Sequence, residues 1–201
     1  MTKIETAKMI LKNSDGIAQT GDFVAAGISK SDLEKLCHDG SITRIRYGFY
    51  QCADDCNISE AQYISKLFPE AVVCVESALF HYGYSDFTPR EWSLAFPRSV
   101  SQRKMKLDII PFKPYYIQNE NLEIGKRTVT IDGVDLAIYD RERTICDCFK
   151  YRNKMDNELF AKAMNAYVAD KDKNLVKLSE YAKKLRVYKK VTELMEVLLN
   201  G

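Results

Sequence analysis

Apolar residues recur along this chain with two different periods, and the places where the period changes divide it into elements. Between residues 4 and 12, Ile4, Ala7, Met9, Ile10 and Leu11 form the apolar surface of a helix that Asp15-Gly16 ends. The stretch from Gln19 to Tyr50, QTGDFVAAGISKSDLEKLCHDGSITRIRYGFY, then predicts two short helices, a tight turn and a basic β-hairpin. In the turn Ala26-Gly27-Ile28-Ser29, Gly27 can take the positive φ that closes one helix, and the Ser29 hydroxyl can cap the next. On that second helix a rotation of about 100° per residue puts Leu33, Leu36 and Cys37 on the inner face, with Ser29 beside them. Ser31, Glu34, Lys35 and His38 point outward. After Asp39-Gly40, Ile42-Thr43-Arg44-Ile45-Arg46 alternates with period two and meets Tyr47-Gly48, which predicts a strand running into a turn, with Phe49-Tyr50 starting the return strand.

Downstream, Ala53 to Ser59 is a polar connector. Ser59 caps a helix that runs to Phe68 and is stopped by Pro69. A short apolar strand, Ala71 to Val75, leads into a helix from Ser77. The middle of the chain is β-rich, with strands over Trp92–Phe96, Leu107–Phe112 and Tyr115–Ile117 and a hairpin over Thr128–Ile138 that turns at Asp132-Gly133. Helices over Arg141–Tyr151, Asn157–Ala169, Asn174–Leu185 and Tyr188–Leu199 close it. Their stripes, such as Leu175, Leu178, Ala182 and Leu185, or Val191, Leu194, Met195 and Leu198, read as core. The expected fold is α+β: an N-terminal winged helix-turn-helix over residues 1–56, with a boundary that could extend to about 86, then a mixed α/β domain over 57–201 ending in a helical subdomain.

Two helices joined by so short a Gly-containing turn present the second helix to a DNA major groove. Ser31, Lys35 and His38 are the candidates for reading base edges. Gln19, Thr20, Lys30, Arg44, Arg46 and Tyr47 are the candidates for positioning on phosphates. Arg44 and Arg46, two apart on a strand, are expected to project from the same side. Asp32, Glu34 and Asp39 offset Lys30 and Lys35, so the reading helix is not electropositive. Glu34 can accept from a cytosine amino group or be an ordinary solvated charge. Helix-turn-helix units also dock proteins, and that alternative stays open.

With 30 Lys and Arg against 28 Asp and Glu, the net charge is +2, so any DNA affinity must come from local patches. Two such patches lie outside the hairpin. Arg98, Arg103, Lys104 and Lys106 share a loop with no acid, and Lys183, Lys184, Arg186, Lys189 and Lys190 form the densest positive run. Each can extend a DNA surface, meet an acidic partner, or be a solvated surface at a helix end. The six cysteines offer one metal-like spacing, Cys52/Cys56, and no second pair, so neither a metal nor a disulfide framework is expected.

A metal-dependent nuclease is the competing enzymatic reading. It needs clustered carboxylates, commonly beside a lysine. The chain has no Glu-x-Lys or Asp-x-Lys tripeptide, two histidines, no nucleophile elbow and no Gly-rich phosphate loop. His81, on an apolar helix, reads as a structural histidine, and Arg141, Glu142, Arg143 and Asp147 as an internal ion-pair network. No enzyme and no cofactor are expected. No apolar leader and no run long enough to cross a bilayer is visible, so the expectation is a soluble cytoplasmic protein without a membrane partner.

The order Thr20…Ala26-Gly27-Ile28-Ser29…Leu33…Leu36…Asp39-Gly40…Ile42…Arg44-Ile45…Gly48-Phe49-Tyr50 resembles the N-terminal domain of the AbiEi family. Ser77-Ala78-Leu79…Gly83, Phe96-Pro97-Arg98, Glu142-Arg143-Thr144…Asp147 and Tyr181-Ala182…Leu185-Arg186-Val187 resemble later segments of the same family, so the likeness spans nearly the whole chain. AbiEi proteins are antitoxins and transcriptional regulators of bacterial type IV abortive-infection toxin–antitoxin pairs, used in phage defence. The resemblance implies binding to double-stranded operator DNA, with inverted repeats, and repression of the protein's own operon. It also implies counteraction of a cognate nucleotidyltransferase-like toxin without a stable complex.

Overall fold

The computed structural model describes residues 2–53, 57–101, 105 and 109–200. The fold is mixed α/β with two separate sheets. The chain divides into two compact units, the first built chiefly on residues up to Pro69 and the second on 70–101, 111–130 and 135–200. The contiguous part of the first unit ends at Pro69.

In the first unit the order is α1 (Lys3–Asn13), β1 (Ile17–Gln19), α2 (Thr20–Ala25), α3 (Lys30–His38), β2 (Ile42–Arg46), β3 (Phe49–Cys52) and α4 (Glu60–Leu67). The three strands pair in the order β1-β3-β2, antiparallel throughout. Ala7 and Leu11 of α1, Phe23, Ile28, Leu33, Leu36, Ile42 and Tyr50 form one closed core. Only that i, i+4 pair of α1 is buried; Ile4 and Met9, expected in its apolar surface, are exposed because the helix has one neighbouring layer and spends its narrow stripe on it. Ser59 caps α4 as expected, its hydroxyl accepting from the Gln62 amide at 3.2 Å while the Gln62 side chain accepts from the Ser59 amide at 2.7 Å.

The second unit holds β4 (Val72–Val73), α5 (Val75–His81), β5 (Trp92–Pro97), β6 (Phe112–Ile117), α6 (Asn119–Leu122), β7 (Lys126–Ile131), β8 (Val134–Tyr139), α7 (Arg141–Lys150), α8 (Asn157–Ala169), α9 (Leu175–Lys184) and α10 (Tyr188–Asn200). Its sheet runs β6-β5-β4-β8-β7. The short β4 pairs antiparallel with β5 and parallel with β8, and β5 pairs parallel with β6. The turn between β7 and β8 falls on Asp132 (φ 50°) and Gly133 (φ 76°), the pair of left-handed residues that a tight hairpin requires.

Two expectations change here. Residues 107 and 108 lie outside the described residues, and the strand is instead Phe112–Ile117, running straight through Pro114. A proline interrupts a central strand but is accepted at an edge, where β6 sits. The stripe on α9 buries Leu178, Ala182 and Leu185 but leaves Leu175 exposed. His81 lies exposed at the end of α5, its ring edge-on to Tyr82 at 5.0 Å.

The ion-pair network read from Arg141 to Asp147 is present. The Arg143 and Asp147 side chains are 0% and 1% exposed and meet at 3.1 Å, one turn apart on α7. Arg143 Nη1 also donates to the carbonyls of Asn121 (2.7 Å) and Ile124 (2.8 Å), and the guanidinium lies 4.0 Å from the centre of the Tyr139 ring. Arg141 holds Asp170 at 3.0 Å and Asp172 at 3.3 Å. Asp140 caps α7, accepting from the Arg143 amide, and also meets Lys177 at 2.7 Å.

Gly125 makes this packing possible. It has φ 74°, and a Cβ there would stand 2.5 Å from the Arg143 Cβ and 2.9 Å from an Asp140 carboxylate oxygen. Gly133 has the same backbone conformation with nothing within 4 Å. Gly133→Ala is therefore expected to cost about 1 kcal/mol of backbone strain, and Gly125→Ala several kcal/mol. Urea denaturation of the two variants measures the difference.

Candidate nucleic-acid interface

The α2–α3 corner is built by local hydrogen bonding. Gly27 has φ 82°, and its amide donates to the Val24 carbonyl while the Ile28 amide reaches back to Phe23 at 2.9 Å. Ser29 then opens α3 with a capping box: its hydroxyl accepts from the Asp32 amide at 3.2 Å, and its own amide donates to the Asp32 carboxylate at 3.1 Å. Buried Ile28, Leu33 and Leu36 fix the rotation of α3. Ser31, Glu34, Lys35 and His38 are consequently exposed on its outer side, as is Lys30 at its start.

Asp32, one of the acids that counts against a DNA-reading helix, is already neutralised. Lys3 of α1 lies 2.8 Å from its carboxylate. That contact and the Ser29 hydroxyl and amide hold its carboxyl far below the usual range. Asp39 is held below its ordinary value by the Ser41 hydroxyl and then by the Ser41 amide at 3.0 Å. Glu34 and Asp39 therefore keep their negative charge on the exposed side of α3, beside Lys35 and His38.

Gln19 and Thr20 enter α2 from β1. The Gln19 amide donates to Asp22 at 2.7 Å, and the Thr20 amide to the Gly48 carbonyl at 2.9 Å, which ties the start of α2 to the β2–β3 turn. Tyr47 in that turn is 85% exposed, and Arg44 lies 5.1 Å from the centre of its ring.

Arg46 departs from expectation. Arg44 pairs with Tyr50 but Arg46 pairs with Phe49, so a bulge between them breaks the alternation. Tyr50 and Phe49 are neighbours on β3 and point to opposite faces, and their partners follow them. Arg44 shares the face of Tyr50, whose ring meets Phe23 of α2 edge-on at 5.7 Å. Arg46 turns to the other face, where it lies 4.5 Å from the Phe49 ring and 5.2 Å from the Phe68 ring and donates to the Leu67 carbonyl at the end of α4. The two arginines are not a matched pair: Arg44 is the exposed cation of the hairpin, and Arg46 fastens α4 to the sheet. Without the bulge Ile45 would face Phe49 and Arg46 would face Gly48.

Of the basic clusters, Arg103, Lys104 and Lys106 lie outside the described residues. Arg98 is exposed just after β5, its amide bonded to the Ile117 carbonyl at 3.0 Å. Lys183 lies over the Tyr188 ring, whereas Lys184 and Arg186 line a cavity of the second unit together with Arg98. The sequence does not single out Lys150, which joins the same wall, because the residues around it read as helix interior. Among the described residues no group of His, Cys, Asp and Glu is arranged to hold a metal ion, and no helix is long and apolar enough to cross a membrane. Cys37, Cys52, Cys74, Cys146 and Cys148 are free thiols.

No family model and no curated protein matches this chain. Among solved structures, the RV2827C protein from Mycobacterium tuberculosis is similar, with a TM-score of 0.62 and 12% sequence identity over 88% of this chain and 70% of that one. The likeness is one of fold.

The different settings of Arg44 and Arg46 predict different consequences for stability. Arg46→Ala removes a charged hydrogen bond and two ring contacts and is expected to destabilise the first unit by about 1–2 kcal/mol, whereas Arg44→Ala leaves it unchanged. Thermal unfolding of the two variants, followed by circular dichroism, checks this; equal midpoints would place Arg46 in solvent.

Proposed function

We propose that this protein is a DNA-binding transcriptional repressor whose first unit is a winged helix-turn-helix, and that it belongs functionally with the AbiEi-type antitoxins. The observation that carries the reading is the presentation of α3. Leu33 and Leu36 are buried beneath it, and Ser31, Lys35 and His38 stand exposed on its other side, at the end of a hairpin pair closed by a Gly27 turn. Such a helix enters a major groove with its outward residues against base edges. The element order helix, strand, helix, helix, strand, strand, with the first strand beside the last, supports the same reading. The pairing of Asp32 with Lys3 removes one electrostatic objection to it.

Within this proposal Ser31, Lys35 and His38 read bases. Gln19, Thr20, Lys30, Arg44 and Tyr47 meet phosphates, with Tyr47 and Arg44 extended by the β2–β3 turn. Arg46 supports the hairpin from behind. Repression of its own operon, and an antitoxin role for the second unit against a nucleotidyltransferase-like toxin, rest on the residues that resemble the AbiEi family. The alternative use of this unit, protein docking, is favoured by Glu34, which leaves the reading face mixed in charge.

An electrophoretic shift with DNA from upstream of the protein's own gene against scrambled DNA, at two salt concentrations, tests the proposal. The expected result is preferential, salt-sensitive binding. Arg44→Ala should weaken binding to both DNAs alike and lower the salt slope by about one, whereas Lys35→Ala should narrow the preference between them. Binding to neither DNA would assign the unit to protein contact instead.

A further inference from the structure

The cavity that Arg98, Lys150, Lys184 and Arg186 border lies wholly within the second unit and measures about 480 Å³. Cavities of roughly 300 to 1,000 Å³ hold single small ligands, whereas a duplex lies along an open surface. Three parts of the fold deliver the charge: Arg98 follows β5, Lys150 ends α7, and Lys184 and Arg186 flank Leu185 where α9 stops. Glu120 is the one carboxylate in the wall. Among the described residues none of the four cations forms an ion pair. The Lys150 amine is held below its ordinary value by burial first and then by Arg143 and Arg98, against the pull of Asp147. Four cations on one wall against a single carboxylate favour an anion between them.

Cations at helix C-termini complement the dipole, which accounts for Lys150 and Lys184. It does not account for Arg98, which follows a strand, or for the choice of arginine over glycine at residue 186. Arg186 occupies the left-handed position that closes α9 (φ 62°), with the next amide, that of Val187, bonded back to the Ala182 carbonyl at 2.9 Å. Glycine is the residue that position accepts without strain. Backbone strain kept at a binding-type cavity points to a use for the side chain. Tyr116, 36% exposed on the edge strand, Gln118 and Asn121 also line the cavity. An accessible aromatic face and amide groups beside a cluster of cations suit a base attached to phosphates.

We propose that this cavity binds a nucleoside polyphosphate, with Arg98, Lys150, Lys184 and Arg186 on the phosphates and the Tyr116 ring against the base. The site is separate from the proposed DNA contacts on α3. Isothermal titration of the full chain with magnesium ATP, and separately with inorganic tripolyphosphate, tests it. ATP is expected to bind at one site, and tripolyphosphate at least about tenfold more weakly. Tyr116→Ala should bring ATP down to the affinity of tripolyphosphate. Arg186→Gly relieves the backbone strain while deleting the charge, so it should weaken ATP binding about tenfold with a thermal midpoint equal to or above that of the wild type. Arg44→Ala, which tests DNA binding, should leave ATP binding unchanged. No heat with ATP at about 1 mM, ATP and tripolyphosphate binding equally to the wild type, or an Arg186→Gly and Lys184→Ala double variant that binds ATP undiminished would each overturn the proposal.

Discussion

Arg143 is the point through which the second unit is held together. Its guanidinium is fully buried, and every direction it faces belongs to a different part of the fold: Asp147 along α7, the carbonyls of Asn121 and Ile124 around α6, and the Tyr139 ring at the end of β8. A charge taken out of water is tolerated only when such partners are fixed in advance. Tyr139 is fixed in turn, its hydroxyl donating to the Leu122 carbonyl at 3.1 Å and its carbonyl accepting from Tyr82 and Thr144. One atom, Nη2, has no hydrogen-bond partner. The arrangement therefore specifies geometry more than it adds stability: replacing the pair with apolar side chains would lose the carbonyl contacts that set the α6 loop against α7.

The first unit reaches order differently, through short-range signals that a sequence displays openly. Gly27, Ser29 and Ser59 were readable because each acts within three or four residues of itself, and the structure uses each of them in the role its chemistry suggests. Leu33 and Leu36 were readable from helical spacing. What stayed hidden depends on partners far along the chain. The bulge that turns Arg46 away from Arg44 is visible only once β3 and α4 are in place, and the exposure of Ile4 and Met9 only once α1 is seen to have a single neighbouring layer. Pro114 argues against a strand locally, and only its position at the sheet edge reverses the argument.

The same distinction applies to function. The outward residues of α3 follow from periodicity, so that candidate surface was accessible from the chain alone. The grouping of Arg98 with Lys150, Lys184 and Arg186 was not, because their sequence positions span nearly ninety residues and three types of local structure. Three of them, Arg98, Lys184 and Arg186, stood within basic clusters, where sequence alone does not separate them from ordinary surface charge. Convergence on one cavity distinguishes them from the lysines that merely share those runs.

Pro114 has a further consequence for how the molecule meets its copies. A free sheet edge is a template: its unpaired amides recruit strands from other chains, and proteins crowded at synthesis are vulnerable along such edges. The β6 edge carries a residue with no amide hydrogen in its third position, so an incoming strand would find a gap in the ladder halfway along. That gap guards the sheet against growth from the β6 side, whereas β7 at the opposite edge, KRTVTI, keeps every amide hydrogen.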